Sequence, residues 1–217
     1  SGMSACELVL VRHGETPWNR DRRLQGHIDI DLNEEGRRQA RAVAVRLARE
    51  RVDALYTSDL RRARKTADAI ALACGVAVQP DPGLRERNYG VLEGHRLDEL
   101  NERFPVEYAQ WQARIPEARI ERGETLAAFY TRICTTIEHI ARQHAGQRVV
   151  LAAHGGVLDC AYRLATGAPL QARRSWDLLN ASVNCLRFED GRFTLMSWAD
   201  VSHLVSAGLD EVDRRYA

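Results

Sequence analysis

The sequence has no long apolar run, which excludes a membrane-spanning protein of the helical kind. No stretch of about 18 apolar residues occurs, so we expect no transmembrane helix. No basic and apolar leader precedes the first candidate strand, and we therefore expect a cytoplasmic protein. Ser1 and Gly2 stand before Met3 and are interpreted as a cloning remnant, outside the fold.

Paired cysteines are also missing. The five cysteines stand singly in apolar stretches, at Cys6, Cys74, Cys134, Cys160 and Cys185. An odd number of cysteines without paired spacing is not typical of a disulfide framework. We expect reduced thiols packed in the core.

Lysine is almost absent, since Lys65 is the only lysine among 31 basic residues. The formal net charge is +1, which argues against a general nucleic-acid or membrane-binding surface. Arginine suits bidentate recognition of phosphate and carboxylate groups. A GC-rich genome produces the same bias, so composition alone leaves both explanations open.

The order of predicted elements defines the fold class. With 217 residues and 45% hydrophobic content, we predict a single domain over 3–217, with a substrate-side insertion over 79–123. Apolar periodicity predicts strands at 7–11, 54–57, 76–78, 149–153, 183–189 and 192–198. It predicts a helix capped by Asn33 and ending near residue 50, a second capped by Ser58 and ending at Gly75, and further helices at 97–104, 125–144 and 156–166. This alternation predicts an α/β fold, a three-layer α/β/α sandwich with a mainly parallel central sheet and helices on both faces.

Charged and polar residues follow three of these strands. They are Arg12-His13-Gly14, the run from Ser58 to Arg62, and His154-Gly155-Gly156. Parallel sheets bind ligands beyond the carboxyl ends of their strands, so we expect all three groups at one edge. Glycines there allow backbone N–H groups to approach an anion at a helix N-terminus.

Two histidines with several arginines favour phosphoryl chemistry. Imidazole is a competent nucleophile toward phosphorus, and arginines stabilise the charge of the transferring group. Neighbouring arginines also lower the pKa of His13 and keep it neutral. Four cations begin the second helix against its dipole, namely Arg61, Arg62, Arg64 and Lys65. A solvated face explains Arg64 and Lys65, and we predict that an anionic ligand holds at least one of the others. No metal is required, and Glu15, Glu86 and Glu93 are candidate proton donors.

Several ordered motifs then carry a family resemblance. They are RHGETPWN at 12–19, RLQGHIDIDLNEEG at 23–36, SDLRRARKTA at 58–67, LRERNYGVLEG at 84–94 and HGG at 154–156. Together they resemble the histidine phosphatase superfamily, also called the phosphoglycerate-mutase-like family. A weaker likeness continues through LNASVNCLRF and the triplet from Ser202 to Leu204.

The resemblance implies roles for individual residues. His13 would become phosphorylated, with Arg12, Arg62 and His154 completing the phosphate pocket. Arg62 is preferred because it precedes Ala63 in the family's arginine-alanine pair. Glu86 would be the general acid. The remaining predicted binding residues are Asn19, Gln25, Gly26, Arg87, Asn88, Tyr89, Gly155 and Gly156.

Two points stay open from the sequence. Proton donation by Glu86 near neutral pH requires a raised pKa, whereas nearby arginines would lower it. His27 with Asp29 and Asp31 imitates a metal cluster, but the resemblance puts these residues in a substrate-side loop, and we predict no metal site. Glu15 and Glu93 are interpreted as structural.

The favoured function is a metal-independent phosphomonoesterase acting on a small phosphorylated metabolite. The alternative is a cofactor-dependent phosphoglycerate mutase, which would use 2,3-bisphosphoglycerate. Mutases of the family carry a longer insertion with a lysine and an adjacent arginine pair. Residues 95–123 contain no lysine and only isolated arginines, at Arg96, Arg103, Arg114, Arg119 and Arg122. A non-catalytic phosphate-ester binder is a minor alternative. We expect no nucleic-acid or membrane partner, and a homodimer is compatible with the pattern.

Overall fold

The computed structural model describes residues 4–213 of the chain. Its strands are β1 (Cys6–Arg12), β2 (Ala54–Thr57), β3 (Val78–Pro80), β4 (Arg148–Ala153), β5 (Val183–Glu189) and β6 (Arg192–Asp200). Its helices are α1 (Pro17–Arg20), α2 (Glu34–Leu47), α3 (Arg61–Cys74), α4 (Leu97–Arg103), α5 (Pro105–Gln112), α6 (Leu126–Gln143) and α7 (Gly155–Thr166). Every predicted strand is present in these residues.

The strands of this region form one sheet in the order β3-β2-β4-β1-β5-β6. The first four strands in that order are parallel, and β5 and β6 add an antiparallel edge. The hairpin between β5 and β6 turns through Asp190 and Gly191, both at positive φ. A two-residue loop with both residues in that conformation matches the twist of a hairpin. The predicted mainly parallel sheet and its hairpin are confirmed.

The apolar run of β1 packs on both faces of the sheet. Leu8 and Leu10 belong to a buried cluster that includes Ile133 of α6 and Leu158 of α7. Val9 belongs to a second cluster, with residues of α2 and α3. Successive side chains of a strand point to opposite faces, so a continuous apolar run requires cover on both sides. The predicted three-layer α/β/α architecture is confirmed.

Two predicted boundaries are wrong. The third strand begins at Val78 rather than at residue 76, because the N–H groups of Gly75 and Val76 both bond to Ala71 O and end α3. Ser58 does not cap α3. The cap position is Leu60, without a side-chain cap, and Arg61 N donates instead to Asp29 Oδ1 at 2.7 Å.

The 79–123 segment contains more helix than the sequence predicted. The predicted helix is present as α4, but α5 follows at once and was not expected. Pro105 occupies the first position of α5, where proline is tolerated because that N–H has no helical partner. Leu92, Leu100 and Trp111 of this segment form a separate buried cluster with Leu24. The segment is therefore a packed unit next to the ends of the parallel strands.

The other boundaries lie within about three residues of the sequence prediction. Asn33 caps α2 by accepting a bond from Gly36 N at 2.8 Å, and Thr125 and Gly167 bound α6 and α7 as predicted. The five cysteines are free thiols, of which Cys6 and Cys160 are buried. None of the helices within residues 4–213 has the length and apolar character needed to cross a bilayer.

Candidate active site

Three strand ends meet at one edge of the sheet, as the sequence predicted. His13 follows β1, Ser58 follows β2 and His154 follows β4. The rings of His13 and His154 lie 5.3 Å apart, edge to face. A narrow depression with about 10 Å³ of free space lies beside them, lined by Arg12, His13, Arg23, Leu24, Gln25, Gly26, Arg62, Glu86, Tyr89 and Glu211.

His13 is held in one tautomer. Its Nδ1 lies 2.6 Å from Gly14 O, and because a carbonyl oxygen only accepts, Nδ1 carries the proton. Nε2 of the neutral ring then keeps its lone pair. Burial lowers the pKa of His13 well below its usual value, and the charges of Arg12 and Arg62 lower it further. The imidazole is therefore neutral at physiological pH, with Nε2 available as a nucleophile.

Arg12 and Arg62 are both about 99% buried, each with 1% of its surface exposed. Arg12 Nη1 donates to Leu178 O at 2.8 Å, and Arg62 donates to Gly26 O and Ile28 O at 2.7 and 2.8 Å. The Nε atom of each arginine is buried without a hydrogen-bond partner in the described part of the chain. Buried donors are normally satisfied, so these two Nε atoms identify a place where an anion fits.

His154 is fully buried and bonded to the second strand end. Its Nε2 lies 2.7 Å from Ser58 Oγ, and the same oxygen accepts a bond from Leu60 N at 3.3 Å. Burial lowers the pKa of His154 well below its usual value, and the charges of Arg62 and Arg12 lower it further. Within residues 4–213, its Nδ1 has no partner. A neutral ring with one unused nitrogen thus lies beside His13.

Glu86 lines the same depression as His13. Its two carboxyl oxygens accept bonds from Arg87 N at 2.8 Å and Gly156 N at 3.0 Å. Burial raises the pKa of Glu86 to about 7, and the nearby Glu211 carboxylate adds to this rise. The two backbone bonds and Arg62 act in the opposite direction and do not prevail. Glu86 is thus partly protonated near neutral pH, as a general acid must be.

Three of the predicted binding residues line the depression, namely Gln25, Gly26 and Tyr89. The others are close but differently engaged. Asn19 Oδ1 accepts a bond from Thr16 N at 3.0 Å and completes the capping box of α1, whose cap residue is Thr16. Arg87 Nε donates to Glu124 O at 3.2 Å.

The remaining predicted binding residues either form hydrogen bonds within their own loop or lie at the start of α7. Asn88 Oδ1 accepts a bond from Gly90 N. Gly155 is buried at the first position of α7. Gly156 gives its N–H to Glu86, so this group holds the acid and is not directed at an anion.

Two glutamates interpreted as structural do hold loops. Glu15 accepts bonds from Arg20 and Asn33. Glu93 Oε2 accepts bonds from His27 N and Tyr89 N, which joins two loops of the depression. His27 Nε2 lies 2.8 Å from Glu86 O, so its ring contacts the backbone of the acid's own loop.

Sequence reasoning missed three residues of this site. Asn180 donates to His13 O at 3.1 Å, and it lies in a stretch with family resemblance, so that stretch was the available signal. Arg23 and Glu211 line the depression. Glu211 belongs to no motif and lies far along the chain from the other site residues, and nothing local indicated its place.

Comparison with known proteins identifies the class. The profile of the histidine phosphatase superfamily (branch 1) matches residues 8–201. A metal-independent phosphoserine phosphatase of Arabidopsis thaliana is 43% identical over 205 residues, covering 93% of this chain and 84% of the relative. Phosphoglycerate mutase-like protein 4 of the same plant is 41% identical over 207 residues, covering 94% and 89%.

A solved structure agrees with these sequence matches. YhfR of Bacillus stearothermophilus superposes with a TM-score of 0.85 at 33% identity, covering 91% of this chain and 98% of the other. The chain belongs to the histidine phosphatase superfamily, and it is an enzyme.

Proposed function

We propose that the protein is a metal-independent phosphomonoesterase that hydrolyses a small phosphate ester through a phosphohistidine on His13. The observation that carries this proposal is the fixed tautomer of His13. Its Nδ1 proton is bonded to Gly14 O at 2.6 Å, so the lone pair on Nε2 remains for attack. The lowered pKa keeps this lone pair free of a proton when the pocket is empty.

Arg12, Arg62 and His154 would bind the transferring phosphoryl group. The support is the set of buried nitrogens without partners in residues 4–213, namely Arg12 Nε, Arg62 Nε and His154 Nδ1. Gly155 begins α7, and a helix N-terminus favours an anion. Two permanent cations and a helix N-terminus would stabilise the charge on the equatorial oxygens in the transition state.

The proposed reaction has two steps that balance. His13 Nε2 attacks phosphorus and the ester P–O bond breaks, while Glu86 gives its proton to the leaving alkoxide, which departs as an alcohol. Glu86, now a carboxylate, then takes a proton from water as that water attacks the phosphohistidine. The P–N bond breaks, inorganic phosphate leaves, and both His13 and Glu86 return to their first protonation states.

The free space in the depression is only about 10 Å³ in this structure, room for about one water molecule. An ester therefore has to displace groups that line the depression. Gln25, Gly26 and Tyr89 line the depression, whereas Asn19 lies in α1 and Arg87 and Asn88 directly follow Glu86. Phosphoserine is the first ester to test, because a relative with 43% identity is named for its hydrolysis.

Mutase activity is the second candidate, favoured by the mutase-like name of a relative with 41% identity. In a mutase the phosphohistidine gives its phosphoryl group to a second phosphorylated substrate instead of water, and 2,3-bisphosphoglycerate primes the enzyme. Such transfer needs cations for the far end of the substrate. Arg114, in the insertion, donates to Leu170 O and pairs with Asp159, so it is engaged elsewhere. Arg114 is therefore not available to bind the far end of a mutase substrate.

Phosphorus NMR separates the two functions. The protein is incubated with phosphoserine or with 3-phosphoglycerate, with and without a trace of 2,3-bisphosphoglycerate, and with a metal chelator throughout. We expect inorganic phosphate and no 2-phosphoglycerate. Faster formation of 2-phosphoglycerate than of phosphate would make the protein a mutase and overturn the proposal.

A pair of histidine variants tests the intermediate. We expect His13→Ala to abolish turnover and the acid-labile phosphoprotein trapped by rapid quenching. His139→Ala is the matched control, because His139 is exposed on α6, and it should behave like the wild type. Trapped phosphoprotein in the His13→Ala variant would show that another residue is the nucleophile.

A further inference from the structure

The carboxylate of Glu211 lies inside the pocket proposed for phosphate. Its Oε2 is 3.5 Å from Arg12 Nη2, and Glu211 lines the depression together with His13 and Arg62. A Cβ placed on Gly155 would overlap with this same oxygen and would lie 3.3 Å from Arg12 Nε. The carboxylate is thus next to the N-terminus of α7 and next to one of the partnerless arginine nitrogens.

Glu211 belongs to a segment, residues 208–213, that we name the C-terminal strap. The strap is fixed by Arg174, which has 8% of its surface exposed. Arg174 pairs with Asp210 at 3.0 Å and with Asp213 at 2.6 Å. It also donates to Glu211 O at 3.0 Å. The acidic neighbours of Glu211 therefore face Arg174, while Glu211 faces the pocket.

Two more contacts join the strap to the site. Leu209 O accepts a bond from Arg12 Nη1 at 2.9 Å, so the strap holds the arginine that the phosphate would use. Val212 is 7% exposed and packs in the cluster of Leu24, Leu100 and Trp111. The strap backbone is fixed at both sides of Glu211, whereas the side chain of Glu211 keeps 16% of its surface exposed. Glu211 Oε1 also accepts a bond from Val212 N at 3.0 Å, so turning the side chain out of the pocket breaks this bond and the contact with Arg12 but keeps the contacts that fix the strap backbone.

Charge decides what happens when substrate arrives. A carboxylate beside Arg12 and Arg62 offsets the cost of two buried cations in the free enzyme. A phosphoryl group bound to the same arginines would meet this carboxylate as a like charge within a few ångströms, in a partly buried site. Like charges at such a distance repel by several times the thermal energy, so Glu211 and the phosphoryl group exclude each other.

We propose that Glu211 is an internal competitor for the phosphoryl site, a residue that sets phosphate affinity by occupying the pocket until a dianion displaces it. This inference rests on the proposed function, since it assumes that Arg12 and Arg62 bind the phosphoryl group. The occupied form binds phosphate only after the carboxylate leaves, and this lowers the apparent affinity by the fraction of enzyme in the open form. The affinity for the product, inorganic phosphate, is lowered by the same factor, which favours product release.

Binding of inorganic phosphate is the first test, because it needs no knowledge of the ester. Isothermal calorimetry compares the wild type with Glu211→Gln, which keeps the shape and removes the charge, and with Glu211→Ala. We expect a Kd about tenfold lower for both variants, as for a pocket that is about 90% occupied in the wild type. Glu138→Gln is the matched control, since Glu138 pairs with Arg142 on the exposed side of α6, and its Kd should equal that of the wild type.

Kinetics with the hydrolysed ester is the second test. We expect Glu211→Gln to lower KM and the inhibition constant of phosphate by the same factor, with kcat changed by less than about threefold. Equal phosphate affinity in the wild type and both Glu211 variants would overturn the inference and leave the proposed function standing. Weaker phosphate binding in the variants would also overturn it, by making Glu211 an aid to binding. If neither the wild type nor any variant binds phosphate, the proposed function itself fails.

Discussion

Glu86 provides a prediction whose size follows from its surroundings. Burial raises its pKa from 4.5 to about 7, and 5% of its surface is exposed, so solvent screens the effect little. A carboxyl group with a raised folded-state pKa contributes stability that is fully present below the unfolded pKa of 4.5. This contribution is lost as the pH rises through about 7. At about 1.4 kcal/mol for each unit of pKa, the loss between about pH 5 and about pH 8 is on the order of 2–3 kcal/mol.

Urea unfolding of the wild type and of Glu86→Gln at these two pH values measures this loss. The amide of the variant does not titrate, so the wild type should lose on the order of 2–3 kcal/mol more than the variant between about pH 5 and about pH 8. Glu138→Gln removes an exposed carboxylate and should keep the pH dependence of the wild type. Equal losses in the wild type and Glu86→Gln would refute the raised pKa and the physical basis for Glu86 as the acid.

The activity of the same variant follows from its missing proton. We expect kcat of the wild type to fall as the pH rises above about 7, where Glu86 loses its proton. Glu86→Gln should be slower by about 10²–10⁴-fold, the usual contribution of general acid catalysis. It should also lack the decline above neutral pH. A variant with the wild-type rate and pH profile would assign proton donation to another group.

Two further pairs of variants test the site. Arg62→Ala should lower kcat/KM by at least about a hundredfold, because it removes a buried donor to the transition state. The control Arg61→Ala changes a side chain that is 58% exposed and should keep the wild-type activity. Equal activity of the two variants in steady-state assays would contradict the choice of Arg62. Gly156→Ala should lower kcat by about tenfold or more with the fold retained, because its Cβ would overlap with the Glu86 carboxyl. The control is Gly75→Ala, whose Cβ would meet no neighbouring atom but whose backbone is strained at φ +69°. It should cost about 1 kcal/mol of stability and leave kcat unchanged. A wild-type kcat for Gly156→Ala would show that the Glu86 carboxyl can be displaced without loss of activity.

The parallel strands and most helices were predictable because their signals are local. The run from Leu8 to Val11 must be covered on both faces, and Asn33 and Gly167 mark helix ends by their own backbone preferences. The helix α5 was missed because it begins at Pro105 directly after α4. A proline directly after a helix indicates the end of that helix. Only the packing of Trp111 in its cluster shows that a new helix begins at this proline.

The sequence alone determined the sheet, the residues at the strand ends and the family, because motif order and apolar periodicity can be recognised in the sequence itself. It also brought His13 and His154 to one edge, because parallel strands share that edge. Only tertiary structure decided which protonation each group has. The pKa of Glu86 depended on burial, which raises it, and on the charge of Arg62, which lowers it. The tautomer of His13 depended on the carbonyl oxygen of Gly14. The place of Glu211 depended on Arg174 turning the strap inward, a contact between distant parts of the chain that no local pattern encodes.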